Sequence, residues 1–298
     1  MIWVGGEILP DAPLSISVLD RTFEHGLGLF ETLRTWGGRP TLLDRHLARM
    51  LRSARELQIP IDPSSLPGMD DVSRLLEAEG LPGDRMLRIT ASGGTASGPS
   101  MVWMRSSPLP PPIGEDGASL LLGAWPIVLD DPLARHKTLN YWSRRRASEE
   151  ARRRGYDEAL SRVTEDHGHH YYYEGSRTNL FHIRGWRFGR GPLGIARPTL
   201  LTASETGPIV PGVMRALVLE VAQELPIEVE EADGIDDEWL DGRGEIFLTN
   251  AVRGIIPVGL ARFTDNALEY RWAAPGRWTA RLQELVARRL RPEPGTMP

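Results

Sequence analysis

Apolar residues recur at helical spacing through Leu47, Met50, Leu51, Ala54 and Leu57. That stripe predicts an amphipathic helix over Asp44–Leu57, with Asp44 as its N-cap. A second helix is expected near Met69–Ala78. Around these two lie shorter apolar runs of the strand type. Ile2–Leu9 reads as a hairpin arm broken at Gly5-Gly6. Leu29–Thr35 and Arg39–Leu43 flank Trp36-Gly37-Gly38, a hairpin signature. Met86–Ala91 and Met101–Arg105 follow as strands. Mixed elements with short connections predict an α+β unit of mostly antiparallel pairing.

The proline-rich stretch Ser106–Gly117 interrupts the pattern and reads as a stiff, extended spacer. Beyond it strands are expected at Leu120–Ile127, Glu158–Val163, Asn179–Ile183, Glu245–Asn250 and Ile255–Leu260. Helices are expected at Tyr141–Arg154, stopped by Gly155, at Val213–Leu225, and at Arg277–Leu290. Gly185–Ala196 is rich in Gly and Arg and reads as a surface insertion. The predicted organisation is a small domain over 1–107, a linker over 108–117 and a larger domain over 118–298.

Composition removes several function classes. The 298 residues include no cysteine, which excludes disulfides, thiolate catalysis and Cys-ligated zinc. A net charge of −5 argues against nucleic-acid binding. No apolar run reaches membrane-spanning length, and the N-terminus lacks the pattern of a secretory signal, so the expected compartment is the cytoplasm.

Three local motifs carry less than they first suggest. Gly189, Gly191 and Gly194 fit G-x-G-x-x-G, but Pro192 and Pro198 oppose the helix that a dinucleotide site requires. His167, His169 and His170 sit where a polar turn is expected between strands, so no metal site is predicted. Arg144, Arg145 and Arg146, with Arg152–Arg154, share a helix with Glu149 and Glu150. They read as a solvated, salt-bridged face.

The chain contains a single lysine, Lys137. A lysine amine can be tuned to attack a carbonyl, whereas a guanidinium cannot. Lys137 falls between a strand and a helix, in His136-Lys137-Thr138-Leu139-Asn140-Tyr141. Glu174 stands just before the apolar run Asn179-Leu180-Phe181, and a carboxylate buried there needs a cationic partner or several donors. Val210-Pro211-Gly212-Val213-Met214 opens a helix, whose free N–H groups suit an anion. Thr249-Asn250-Ala251 ends a strand with further polar groups. Amine, carboxylate and anion cradle together meet the demands of pyridoxal 5′-phosphate.

With these residues in view, the sequence resembles the class IV aminotransferase family, the fold-type IV pyridoxal-phosphate enzymes. Asp20-Arg21 with Gly26, Gly28, Phe30-Glu31-Thr32 and Arg34 is similar to the family's N-terminal strand. His46-Leu47-Ala48-Arg49 with Ser53-Ala54 is similar to its first long helix. Tyr156–Leu160, the Glu174 segment and Gly254–Val258 extend the likeness over almost the whole chain. The resemblance implies a small α/β domain and a larger pseudo-barrel domain.

It also implies site roles. Lys137 would hold the cofactor as a Schiff base and shuttle protons. Glu174 would face the ring nitrogen, and Tyr141 the ring's phenolic oxygen. Arg49, the N–H groups of Val213 and Met214, Asn250 and Ala251 would hold the phosphate. His25, Thr32 and Arg34 are the candidate substrate contacts. The stretch Ala91–Gly98 lacks an arginine that several members carry, so the partner of the substrate carboxylate stays unassigned. The partners implied are a small amino substrate and a second copy of the chain in a homodimer. Phe30-Glu31-Thr32, Gly212–Arg215 and Thr249–Ala251 lean toward the 4-amino-4-deoxychorismate lyases. Asn140-Tyr141 is closer to the aminotransferases, branched-chain more than D-amino acid type. A PLP-binding protein without turnover is a third reading.

Overall fold

The structure is a computed structural model and describes residues 1–10, 14–164, 170–187, 197–264 and 268–291. It divides into two compact units. Of the described residues, the first comprises those of Met1–Pro111, the short return segment His136–Asn140, and Arg289–Arg291; the second comprises those of Pro112–Arg135 and Tyr141–Arg288.

The first unit contains β1 (Ile2–Val4), β2 (Glu7–Leu9), α1 (Arg21–His25), β3 (Gly28–Trp36), β4 (Arg39–Pro40), α2 (Leu43–Glu56), α3 (Met69–Glu79), β5 (Arg85–Ser92) and β6 (Val102–Pro108). Its strands form one sheet in the order β2-β1-β6-β5-β3-β4. Successive side chains of a strand point to opposite faces. One face carries Leu29, Leu33, Leu87, Ile89 and Met104 into a core with Met50 of α2 and Leu75 of α3. Burying each such side chain stabilises the fold by roughly 1.5–3 kcal/mol. The other face presents Phe30, Thr32 and Arg34 of β3 opposite Thr90, Arg88 and Met86 of β5.

Two expectations are corrected here. Helix α2 is capped not by Asp44 but by Leu42, a left-handed residue (φ 52°) that makes no side-chain cap bond. Asp44 lies in the first turn instead. The buried face of α2 includes His46, Arg49 and Ser53 beside Leu43, Met50 and Ala54, so it is rotated away from the purely apolar stripe. The expected spacer also begins too early. Ser106, Ser107 and Pro108 still pair with Leu87, Met86 and Arg85. A proline at a strand's end is compatible with that pairing, since no further ladder donor is needed there.

The second unit contains β7 (Ala118–Pro126), α4 (Trp142–Arg153), β8 (Glu158–Thr164), β9 (His170–Gly175), β10 (Asn179–Arg187), β11 (Arg197–Ala203), α5 (Val213–Ala222), β12 (Glu228–Ala232), β13 (Ile235–Asp236), β14 (Glu245–Asn250), β15 (Gly254–Phe263), β16 (Glu269–Arg271) and all but the last two residues of α6 (Arg277–Leu290). The sheet runs β12-β11-β10-β14-β15-β7-β8-β9-β13, and an additional β9–β10 pairing closes it on itself. That closure is the pseudo-barrel expected of the larger domain. The closing contact pairs Asn179 with Glu174, so Glu174 stands at the barrel seam. Leu120, Tyr172, Leu180, Leu248 and Val258 fill the interior.

Gly185–Arg187 belong to β10 and are not part of an insertion. The rest of that stretch, with its glycine motif, lies outside the described residues, as do His167 and His169. Among the described residues no cluster of His, Asp and Glu is arranged to hold a metal ion. No described helix is long and apolar enough to cross a membrane.

Candidate active site

Lys137 sits in the return segment and pairs with β3 of the first unit. The Phe30 N–H donates to the Lys137 carbonyl at 3.0 Å, and the Leu139 N–H donates to the Gly28 carbonyl at 2.9 Å. Gly28 makes this approach feasible. Its φ is +141°, and a Cβ there would lie 2.6 Å from Leu139 Cδ1 and 2.7 Å from the Ala91 carbonyl. No other residue type fits both the dihedral and the space. His136 anchors the segment to α2, with Nδ1 3.0 Å from Ser53 Oγ.

The lysine amine lies 4.5 Å from the centroid of the Phe30 ring. The Arg88 guanidinium lies 3.8 Å from the same ring. An aromatic ring attracts a cation, so each of the two is held against Phe30. Arg88 was not singled out by the sequence. The signal was available: Arg88 alternates with core residues Leu87 and Ile89, which places it on the sheet face that Phe30 occupies.

The other candidates of this unit differ in setting. Arg49 is buried and donates from Nε and Nη2 to the two oxygens of Glu31, at 2.8 and 2.5 Å. His46 Nδ1 lies 2.7 Å from the same carboxylate. Burial alone would raise the Glu31 carboxyl, but Arg49 and His46 outweigh it and bring it down to about 2. Burial also pushes the His46 imidazole below its usual value, although Glu31 opposes this. Its Nε2 is buried without a hydrogen-bond partner among the described residues. Arg34 is engaged by Asp84 at 3.5 Å and by the Trp36 ring at 5.3 Å. Thr32 is half-buried beside Arg88 in register, and His25 is exposed at the end of α1.

A second group gathers in the second unit. Glu174 is 2% exposed. One of its oxygens accepts from Arg144, and the other accepts from the Val210 N–H at 3.1 Å. Three residues after Val210, helix α5 begins at Val213, with Gly212 as N-cap and no side-chain cap bond. The Asn179 amide donates to the Val210 carbonyl at 3.0 Å. A Cβ on Gly212 would fall 2.0 Å from Asn179 Oδ1, so only glycine lets the helix start lie this close to β10. Asn179 pairs in turn with Thr249, whose hydroxyl is buried without a partner among the described residues. The Asn250 side chain accepts from the Val252 and Arg253 N–H groups at 3.0 and 2.8 Å and shapes the turn that includes Ala251.

Uncapped N–H groups of Val213 and Met214, an orphaned hydroxyl and a nearby turn fit a phosphate. A buried carboxylate tied to the same short connection fits the far end of a phosphorylated pyridine ring. The residues present therefore suit pyridoxal 5′-phosphate.

Tyr141 caps α4, and its hydroxyl donates to the Ser176 carbonyl at 2.5 Å. Burial pushes its phenol up to about 12, against a lowering from Arg144. Ser176 is fixed by Glu158, which accepts from its N–H at 3.2 Å. Arg144 departs from the solvated face expected of the arginine run. Arg145 and Arg154 do form the exposed pairs expected with Glu149 and Glu150, at 2.8 and 2.6 Å. Arg144 instead turns inward. It lies three and four residues before Ala147 and Ser148, which begin the buried stripe of α4.

A family model described as amino-transferase class IV matches residues 28–260. An aminodeoxychorismate lyase of Bacillus subtilis is 28% identical over 270 residues, covering 86% of this chain and 85% of its own. A branched-chain-amino-acid aminotransferase of Escherichia coli is 24% identical over 274 residues, covering 86% of this chain and 83% of its own. Among solved structures, a hypothetical aminotransferase from Mycobacterium tuberculosis in PLP-bound form aligns with a TM-score of 0.75 at 23% identity, covering 97% of this chain and 98% of that one.

Proposed function

The chain belongs to the amino-transferase class IV family, and from that premise we propose that it is a pyridoxal-phosphate enzyme acting on a primary amine that also bears a carboxylate. The carrying observation is the Phe30 ring, against which the Lys137 amine and the Arg88 guanidinium both lie. Lys137 supplies the amine that holds the cofactor covalently. Arg88, rather than the Asp84-bound Arg34, receives a substrate carboxylate, and Thr32 lines the same face. Glu174 holds a proton at the ring nitrogen. The N–H groups of Val213 and Met214, with Thr249, Asn250 and Ala251, bind the phosphate.

When bound, the cofactor supplies an electron sink for negative charge developing beside the substrate nitrogen. Once released, the Lys137 amine removes the proton from the carbon next to that nitrogen. Delivery of that proton by Lys137 to the cofactor's carbon rather than back to the substrate's, followed by hydrolysis by water, would leave the amino group on the cofactor and release an oxo acid. Breaking a C–O bond instead, with aromatisation of the substrate ring, gives 4-aminobenzoate and pyruvate.

Of these outcomes we favour the lyase. Phe30-Glu31-Thr32, Gly212–Arg215 and Thr249–Ala251 support it, as does the Bacillus subtilis relative. Amino-group transfer to 2-oxoglutarate is the second reading, supported by Asn140-Tyr141 and the Escherichia coli relative. The chain is further taken to act as a homodimer in the cytoplasm.

The test pairs two assays. Reconstituted protein is expected to show a visible absorption band that borohydride bleaches and Lys137→Ala abolishes. Lys137→Ala should cost about 10³-fold or more in turnover, since both nucleophile and proton carrier are lost. Incubation with aminodeoxychorismate should yield 4-aminobenzoate. Glutamate formed from amino acids and 2-oxoglutarate, with no 4-aminobenzoate, would overturn the lyase reading.

A further inference from the structure

Glu174 is a shared carboxylate. Arg144 reaches one oxygen from the first turn of α4 with 17% of its side chain exposed. The Val210 N–H holds the other oxygen at 3.1 Å. Burial would push the Arg144 guanidinium down, but Glu174 and the Tyr141 phenol outweigh this and hold it above its usual value.

A carboxylate in contact with a guanidinium presents a weaker negative potential to a third group than a bare one does. At hydrogen-bond separation the cation's field offsets much of the anion's. We propose that Arg144 is a positioning and charge-setting residue for the cofactor ring: it fixes the plane of Glu174 and loosens the hold on the proton at the ring nitrogen. This rests on the cofactor reading above. The ring is thereby kept a moderate electron sink, less strongly charged than an unshared carboxylate would make it.

The other charges nearby do not take over this role. Tyr141 stays a neutral phenol, its ionisation pushed up to about 12. Glu158 on β8 and Arg177 in the β9–β10 turn lie 3.9 Å apart and offset each other. Removing Arg144 subtracts one full positive charge from the surroundings of the carboxylate. Its mate on the helix surface, Arg145, is bound to Glu149 and 67% exposed, too solvated to replace it.

The experiment uses full-length protein loaded with pyridoxal 5′-phosphate carrying ¹⁵N at the ring. The ring-nitrogen chemical shift, followed against pH, reads protonation directly and does not depend on turnover. Arg144→Gln and the volume-matched Arg144→Met should raise the deprotonation midpoint by about 1–2 pH units, the usual effect of one adjacent charge. Arg144→Lys, which keeps the charge, should titrate like the wild type. Thermal melting establishes which variants are folded. Folded Gln and Met variants that titrate like the wild type would overturn the inference and leave the cofactor reading standing. A Lys variant that behaves like Gln would overturn the charge-setting role as well. Wild-type protein that develops no visible band would overturn the cofactor reading and this inference with it.

Discussion

Two buried carboxylates, one in each unit, are gripped by arginines in different ways. Glu31 is saturated by side chains, with Arg49 on both oxygens and His46 on one. Glu174 has Arg144 on one oxygen and the Val210 N–H on the other, and it stands at the closing seam of a barrel. On the cofactor reading proposed above, Glu31 is a brace and Glu174 a working group. Glu31 fixes the guanidinium plane of Arg49 and so positions a cation. Glu174 is fixed at each oxygen, and on that same reading it would present its charge to the cofactor ring.

Replacing the brace should have the largest effect. Glu31→Gln leaves the Arg49 cation in a buried site with its ion-pair partner gone. Breaking a buried pair from one side costs about 3–5 kcal/mol, to be read by denaturant unfolding. A loss smaller than that of a surface pair would show that Glu31 does not brace Arg49.

Acid should expose the same brace. The folded value of Glu31, about 2, lies below its ordinary 4.5. The group binds fewer protons folded than unfolded between those values, so its contribution is fully present above about pH 4.5 and lost as pH falls toward 2. Its size is on the order of 3 kcal/mol. Stability measured against pH should lose this component in the Gln variant, and parallel curves would sink the assignment.

In the second unit, Thr249→Val removes a hydroxyl that has no partner among the described residues. Unfolding stability without cofactor should hold or rise, because a buried unsatisfied hydroxyl is unfavourable. Cofactor affinity should fall about tenfold, or ~1.4 kcal/mol, by fluorescence titration. A variant that loses fold stability and keeps its affinity would make Thr249 a structural residue like Glu31.

The smallest effect is expected from Tyr141→Phe, which removes one hydrogen bond to the Ser176 carbonyl. The cost is about 1 kcal/mol in unfolding free energy. No ionisation of Tyr141 should appear in a pH titration below about 12. A tyrosinate signal near neutral pH that vanishes in the Phe variant would contradict the buried, neutral setting.

How much of this was legible in the sequence depended on whether packing left a period behind. Helices α3 and α6 carry clean stripes and fall close to their expected bounds. Strand β12, Glu228–Ala232, was missed because four of its five residues are exposed and three are glutamates. It exists through parallel pairing with β11, which leaves no apolar alternation. Strand β9 was also missed, because His170–Gly175 follows directly on a His-rich polar stretch of sequence that reads as a turn, although its three tyrosines favour a strand. Its hydrogen bonds to β8 are what place Glu174.

At the site, Lys137 and Glu174 were visible as residue types in suggestive surroundings. Arg144 was not, because three consecutive arginines look like one solvated run. Only the position of Arg144 relative to Ala147, Ser148 and Ala151 distinguishes it from its neighbours. Glu31 and His46 belonged to recognised motifs, but their mutual bond spans a strand and a helix and has no local spacing to betray it.

The return of His136–Asn140 to the edge of β3 has a consequence for redesign of the chain. The two main-chain bonds that make the Leu29–Thr138 bridge set the alignment of that segment. Consecutive side chains in extended backbone point to opposite sides, so a one-residue slip would turn the ε-amine away from the Phe30 ring. Lengthening the connection ahead of Arg135 leaves the alignment intact, whereas a single insertion between Lys137 and Leu139 breaks it. The chain length before this segment is free to vary, while the phase within it is not.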